Sequence, residues 1–355
     1  MESPTLAHWV GDVESFADHR WQREPAVFTP QAPAPPFGLD ALDAAFDGGL
    51  LRTPYLEMVR SDKITVPAGA FTTPRVVNGV TYEGFADRAK VLARLRAGAT
   101  LLLRCVDQWH RPTGELVARL SEELDRRVEA FFFVTPAGAQ GLAVHRDDAD
   151  VFVLQSAGRK TWYVHDAPAA PDWSLGELPD DEHSPQRLRH VLEPGEVLYV
   201  PRGFAHRAVG AGGLSAHLSL TVRDLSLDDL RTALAGRLAE GLDLPARPLG
   251  QAAIADACAT LIGHARTRLD ALEPGDLLRA ARAARPSSAQ PAVPTAPGGP
   301  AEPAARRDSV TGTAPETFAG AARAWHDGGP GVGRGGPGPV GRTWRRLRDA
   351  ARAAD

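Results

Sequence analysis

Two histidines and one aspartate set the chemistry this sequence can perform. His145 and Asp147 stand two apart in a stretch that reads as extended, so both side chains leave the same face of the chain. His206 follows 59 positions after Asp147, just past the strand-like run from Val197 to Val200. Two imidazoles and one carboxylate on one side of a metal leave the remaining positions open, a ligand set that suits Fe(II) working with O2. An H-x-D pair alone is common and says little. The frame around His206 is more specific: Pro194-Gly195 opens a strand, Pro201 ends its pairing, and Gly203 precedes the histidine by three. Proline cannot donate to a ladder, so His206 can leave the sheet and face a pocket.

The elements that must hold these residues are mostly β. From Ala130 to Arg223 the short runs AFFFVTP, DVFVLQ, KTWYVHD, EVLYVP and SAHLSLTV are separated by Ala137-Gly138, Ala157-Gly158, Pro194-Gly195 and Gly210 to Gly213. Regularly spaced short strands of this kind predict a sandwich or barrel. Helical spacing of apolar residues appears at 12–20, 39–46, 85–95 and 115–124, and Ala99 to Val106 suits a buried strand. After the β region, 225–284 turns helical again.

The segments TPAGAQGLAVHRDDADVFVLQSAGRKTWYVH, EPGEVLYVPRGFAHRAV and SAHLSLTV resemble the JmjC-type cupin family of ribosomal oxygenases, with further likeness at FADHRWQREPAVF and GATLLLRCVDQWHRP. The resemblance spans roughly residues 10–240. It implies a mainly β fold with flanking helices, a double-stranded β-helix (the cupin/JmjC jelly roll) followed by a helical segment. It implies Fe(II) at His145, Asp147 and His206, with 2-oxoglutarate and O2 as co-substrates of a hydroxylase. A basic residue holding the far carboxylate of 2-oxoglutarate falls fifteen positions after the first metal histidine in this family, which is Lys160 in Gly158-Arg159-Lys160-Thr161-Trp162. A buried carboxylate needs such a cation. Thr221 matches a hydroxyl position that helps bind the same carboxylate. Where some relatives carry Asn and Tyr near the co-substrate, this chain has Phe131 and Phe133. His217 shares a strand face with Ser219 and Thr221 and reads either as a support for the site or as a satisfied barrel histidine.

Four regions follow: 1–129 supporting the barrel, 130–223 as catalytic core, 224–285 helical, and 286–355 as a disordered Pro/Gly-rich tail with a short basic helix at 344–354. Gln31 to Pro36 reads as a connector. Family members follow the barrel with a helical dimerisation domain and a winged-helix-like domain; 224–285 fits the first, and the tail occupies the place of the second. The helices suit either a homodimer contact or packing on the barrel. A net charge of −4 gives no reason to expect strong nucleic-acid binding. Cys105 and Cys258 make neither a disulfide framework nor a zinc site. No secretion signal or apolar span is visible, so a cytoplasmic protein without membrane contact is expected. The substrate implied by the resemblance is a protein or peptide side chain. The same chemistry on a small molecule or biosynthetic peptide is the alternative within the class, and a non-catalytic metal-binding cupin, favoured by Phe131 and Phe133, is the alternative outside it.

Overall fold

A computed structural model describes residues 5–30, 35–60, 66–169, 173–178, 185–242, 250–284 and 316–326. Helices α1 (Thr5–Val10) and α2 (Val13–His19) lead into strand β1 (Ala26–Phe28) and helix α3 (Leu39–Gly48). Strand β2 (Leu56–Val59), the hairpin β3 (Thr72–Val77) and β4 (Val80–Ala86), helix α4 (Arg88–Arg96), strand β5 (Thr100–Leu103) and helices α5 (Val106–Trp109) and α6 (Arg111–Leu124) follow. The β region contains β6 (Arg127–Thr135), β7 (His145–Arg146), β8 (Asp150–His165), β9 (Gly176–Glu177), β10 (Gln186–Leu192), β11 (Val197–Val200) and β12 (His206–Arg223). Helices α7 (Leu227–Ala239), α8 (Gln251–Asp270), α9 (Pro274–Ala283) and α10 (Phe318–His326) complete the described chain. No helix among the described residues is long and apolar enough to cross a membrane.

Local sequence explains the helix starts. Asp12 and Asp87 cap α2 and α4 by accepting from Ser15 N and Lys90 N, and Ser226 with Asp229 forms a capping box on α7. Helix α6 buries Leu116, Val117 and Leu120, the i, i+1, i+4 stripe that its sequence shows.

The core is an antiparallel jelly roll with flanking helices, as expected. Its order is β1-β11-β8-β12-β6-β5-β2, with β10 on β8 and β7 on β12. The long strands β8 and β12 organise both layers. Asp150 to Gln155 pairs with β11 and with the second half of β12, whereas Arg159 to His165 pairs with β10 and the first half of β12. The runs DVFVLQ and KTWYVHD, separate in the sequence reading, are therefore one strand. Gly158 makes this continuity: its φ is +57°, and a Cβ there would lie 2.1 Å from the Leu214 carbonyl oxygen. The boundary expected at 129/130 falls inside β6, and β1, β2 and β5 belong to the same sheet as the barrel.

The disordered segment expected over 286–355 does not hold at 316–326. Helix α10 sends Phe318 and Ala321, both 0% exposed, into the main core beside Phe46, whose ring centroid lies 4.9 Å from that of Phe318. Asp43 on α3 accepts from the first two helical amides, Phe318 N at 2.9 Å and Ala319 N at 3.1 Å, which satisfies donors the helix cannot. Arg96 on α4 pairs with Glu316 and lies 5.6 Å from the Trp325 ring. Composition misleads here because a short apolar helix hides among Pro and Gly. The rest of the tail, the 344–354 helix and residues 31–34 of the Pro-rich connector lie outside the described residues. Phe318→Ala is expected to cost about 3–5 kcal/mol, read as a lower urea midpoint; an unchanged midpoint would mean that α10 does not dock in solution.

Candidate functional site

One cavity of about 260 Å³ opens between β6, β8 and β12. Its inward side chains follow from strand alternation. On β6 the buried Val128, Ala130, Phe132 and Val134 face the helices, which leaves Phe131, Phe133 and Thr135 on the inner face. On β12 the inner set opposite them is Ser215, His217, Ser219 and Thr221.

His145, Asp147 and His206 meet in this cavity, each offering one ligand atom, all within 4.8 Å of one another. Asp147 Oδ2 lies 3.8 Å from His145 Nε2 and 3.6 Å from His206 Nε2. β7 pairs directly with β12 at His145 and His206, which brings two residues 61 apart in sequence side by side. Each imidazole turns its Nδ1 to a backbone carbonyl two residues earlier, His145 to Ala143 O at 2.8 Å and His206 to Phe204 O at 3.0 Å. With the Nδ1 proton donated there, both Nε2 lone pairs point to the shared space. Burial, reinforced by the neighbouring His145, pushes His206 down to about 4, so it is neutral at pH 7, the form that ligates.

Lys160 lies deeper in the barrel and is 2% exposed. Its Nζ donates to Thr135 Oγ1 at 2.9 Å and lies 5.8 Å and 6.0 Å from the Phe133 and Trp162 ring centroids. Burial lowers it to about 7, and no carboxylate pairs with it among the described residues. His217 stacks on Phe133 at 5.0 Å with 6° between planes and packs edge-on to Trp162. Burial, and then the Lys160 cation, hold its pKa well below the usual imidazole range. His217 Nδ1 and Trp162 Nε1 are buried with no hydrogen-bond partner among the described residues. A floor with one unpaired ammonium and unsatisfied polar atoms suits a small anion.

Thr221 lines the same cavity as Lys160 but does not hydrogen-bond to it. It pairs with Glu129 and Val151, whereas the Lys160 hydroxyl partner, Thr135, pairs with Ser215. Six strand residues separate those levels, about 20 Å at the usual rise. The Thr221 hydroxyl donates to Glu129 O at 3.4 Å instead. Sequence reasoning missed Thr135, whose signal was its alternation with Phe131 and Phe133 on the same face of β6. The exposed Asp148 pairs with Arg223, which lines the cavity and also reaches Glu129 at 2.9 Å. Gly158→Ala is expected to lower stability by at least about 2 kcal/mol and to weaken anion binding at Lys160, two residues on. Urea unfolding and ligand titration check this, and an unchanged variant would show that β8 does not need its glycine.

Residues 108–230 match the family model described as JmjC domain. Over this segment the chain is similar to JmjC domains. Ribosomal oxygenase 1 of Homo sapiens is 30% identical over 219 residues, 59% of this chain and 32% of that protein. Ribosomal oxygenase 2 of Rattus norvegicus is 31% identical over 205 residues, 48% of this chain and 41% of that protein. The bifunctional lysine-specific demethylase and histidyl-hydroxylase NO66 of Drosophila grimshawi is 41% identical over 110 residues, 30% of this chain and 15% of that protein. The chain thus spans less than half the length of these relatives. Among solved structures, that of E. coli ycfD aligns with a TM-score of 0.48 at 20% identity, covering 75% of this chain and 69% of that one.

Proposed function

We propose that the chain is an Fe(II)- and 2-oxoglutarate-dependent oxygenase that hydroxylates a protein or peptide side chain, with His145, Asp147 and His206 as metal ligands. The observation that carries the proposal is that two imidazoles, one carboxylate and one buried lysine amine without a carboxylate partner among the described residues line a single cavity. The donor set fits Fe(II): three hard or borderline ligands on one side leave room for a chelating co-substrate. The floor fits a dicarboxylate, because Lys160 supplies the charge that a buried carboxylate requires. When bound, Fe(II) with 2-oxoglutarate and O2 supplies the oxidising chemistry that converts a C–H bond to an alcohol.

The chain's own residues then have distinct tasks. His145 and His206 present Nε2 because Ala143 O and Phe204 O hold their Nδ1 protons. Lys160, steadied by Thr135, fixes the far carboxylate and so sets which end of the co-substrate faces the metal ligands. Phe131, Phe133 and Trp162 make the inner wall apolar and limit water. His217 is neutral under these conditions and offers its unpartnered Nδ1 to the same floor.

A polypeptide substrate is supported by the relatives named ribosomal oxygenase and histidyl-hydroxylase. The exposed apolar residues Ile254, Leu261, Ile262 and Leu269 on α8 support a homodimer contact, and a cytoplasmic location remains part of the proposal. The test is succinate release from 2-oxoglutarate under air with Fe(II), using ribosomal proteins and their peptides as a panel. The expected result is release stimulated by at least one polypeptide, which gains one oxygen atom by mass. Metal and 2-oxoglutarate binding without stimulation by any polypeptide would move the substrate to a small molecule. Absence of 2-oxoglutarate binding would favour a non-catalytic metal-binding protein.

A further inference from the structure

The two loops that carry the proposed metal ligands share a support that the chemistry above does not use. Asp147 lies in the turn between β7 and β8, and His206 follows the turn after β11. Asp150, the first residue of β8, is 2% exposed. Its Oδ1 accepts from Tyr199 Oη at 2.5 Å and from Arg202 N at 3.3 Å, and its Oδ2 accepts from Gln22 Nε2 at 3.0 Å. Gln22 N in turn donates to Tyr199 Oη at 2.8 Å. A second tie joins the same loops directly, Gly203 N to Asp147 O at 3.0 Å. The Tyr199 ring is fully buried against Phe16, Trp21 and Phe152, so its hydroxyl has little freedom.

From this geometry we infer that Asp150 is a positioning residue for the metal centre, a buried carboxylate that joins the Asp147 turn to the His206 turn and, through Gln22, ties both to the N-terminal segment. The inference rests on the proposed metal site. A carboxylate suits this place because all its neighbours are donors: Tyr199, Arg202 N and Gln22 Nε2. An amide there would set one NH2 group against another donor. Loss of the junction would let Arg202 and Gly203 move, and His206, four and three residues further on, would lose its alignment with Asp147 and His145.

The test uses the full chain and Co(II), whose visible bands report binding. Asp150→Asn, Gln22→Ala and Tyr199→Phe are compared with Leu120→Ala, a buried change on α6 outside the cavity lining. Asp150→Asn is expected to raise the Co(II) dissociation constant by roughly ten- to a hundredfold, with smaller rises for Gln22→Ala and Tyr199→Phe. Leu120→Ala is expected to stay within about twofold while losing a similar amount of thermal stability. In metal-free protein, hydrogen exchange at Arg202 and Gly203 is expected to quicken in Asp150→Asn and not in Leu120→Ala. Unchanged Co(II) affinity in Asp150→Asn, or an equal loss in Leu120→Ala, overturns the inference while leaving the metal site standing. A wild-type protein that takes up no Co(II) overturns the metal site and this inference together.

Discussion

Lys160→Met is expected to weaken 2-oxoglutarate binding by roughly a hundredfold, about 3 kcal/mol, while leaving metal affinity near its original value. The estimate follows from removing one member of a buried, hydrogen-bonded charge pair. Methionine keeps most of the side-chain volume beside Phe133 and Trp162, so the loss reports charge more than shape. The same lysine predicts a pH dependence with a definite sign. Burial brings free Lys160 to about 7, and an arriving carboxylate raises it again. Above pH 7 the free protein holds the neutral amine, so binding must take up a proton, and the dissociation constant should rise about tenfold per pH unit. Calorimetry at about pH 8 in two buffers of different ionisation heat should show close to one proton absorbed per ligand. A dissociation constant flat across this range, with no buffer dependence, would contradict the assignment. Stability of the ligand-free protein has its own sign: between about 7 and the ordinary lysine range the unfolded chain binds more protons, so stability increases with pH across that window.

Asp147→Ala has the second large effect. Asp147 is the one carboxylate in the three-residue cluster and touches both histidines, at 3.8 Å and 3.6 Å. Its removal leaves two imidazoles and no carboxylate to balance a divalent ion. Metal affinity should fall by more than the ten- to hundredfold typical of losing a supporting residue. Its side chain is about a third exposed, so the folded structure should survive. Anaerobic Fe(II) titration of the variant beside the wild type measures this, and equal affinities would show that the carboxylate is not a ligand.

Much of this architecture was legible in the sequence, for physical reasons that can be named. The strand runs of β6, β8, β11 and β12 are short, apolar and bounded by Gly or Pro, and His145, Asp147 and His206 fall where those strands end. Their convergence depends on the antiparallel pairing of β7 with β12, in which His206 does not leave the sheet as Pro201 suggested but opens β12, opposite His145 and Val164. Depth along a strand was not legible. Thr221 and Thr135 are both inward-facing threonines, and only the register, Ser215 opposite Thr135 and Thr221 opposite Glu129, shows which one reaches Lys160. Long-range capping was also hidden: Asp43 looks like a surface residue of α3 until α10 returns to it from 275 residues away. The strands of the N-terminal part, β1 and β2, are too short to announce themselves and exist because β11 and β5 offer them partners.

The most direct test of the central claim is visible absorption of metal-free protein under anaerobic conditions, titrated first with Fe(II) and then with 2-oxoglutarate. A charge-transfer band that needs both additions, disappears in Asp147→Ala and requires far more 2-oxoglutarate in Lys160→Met is the predicted result. Iron uptake with no band at any 2-oxoglutarate concentration would contradict the co-substrate site, and failure to take up iron would contradict the account as a whole.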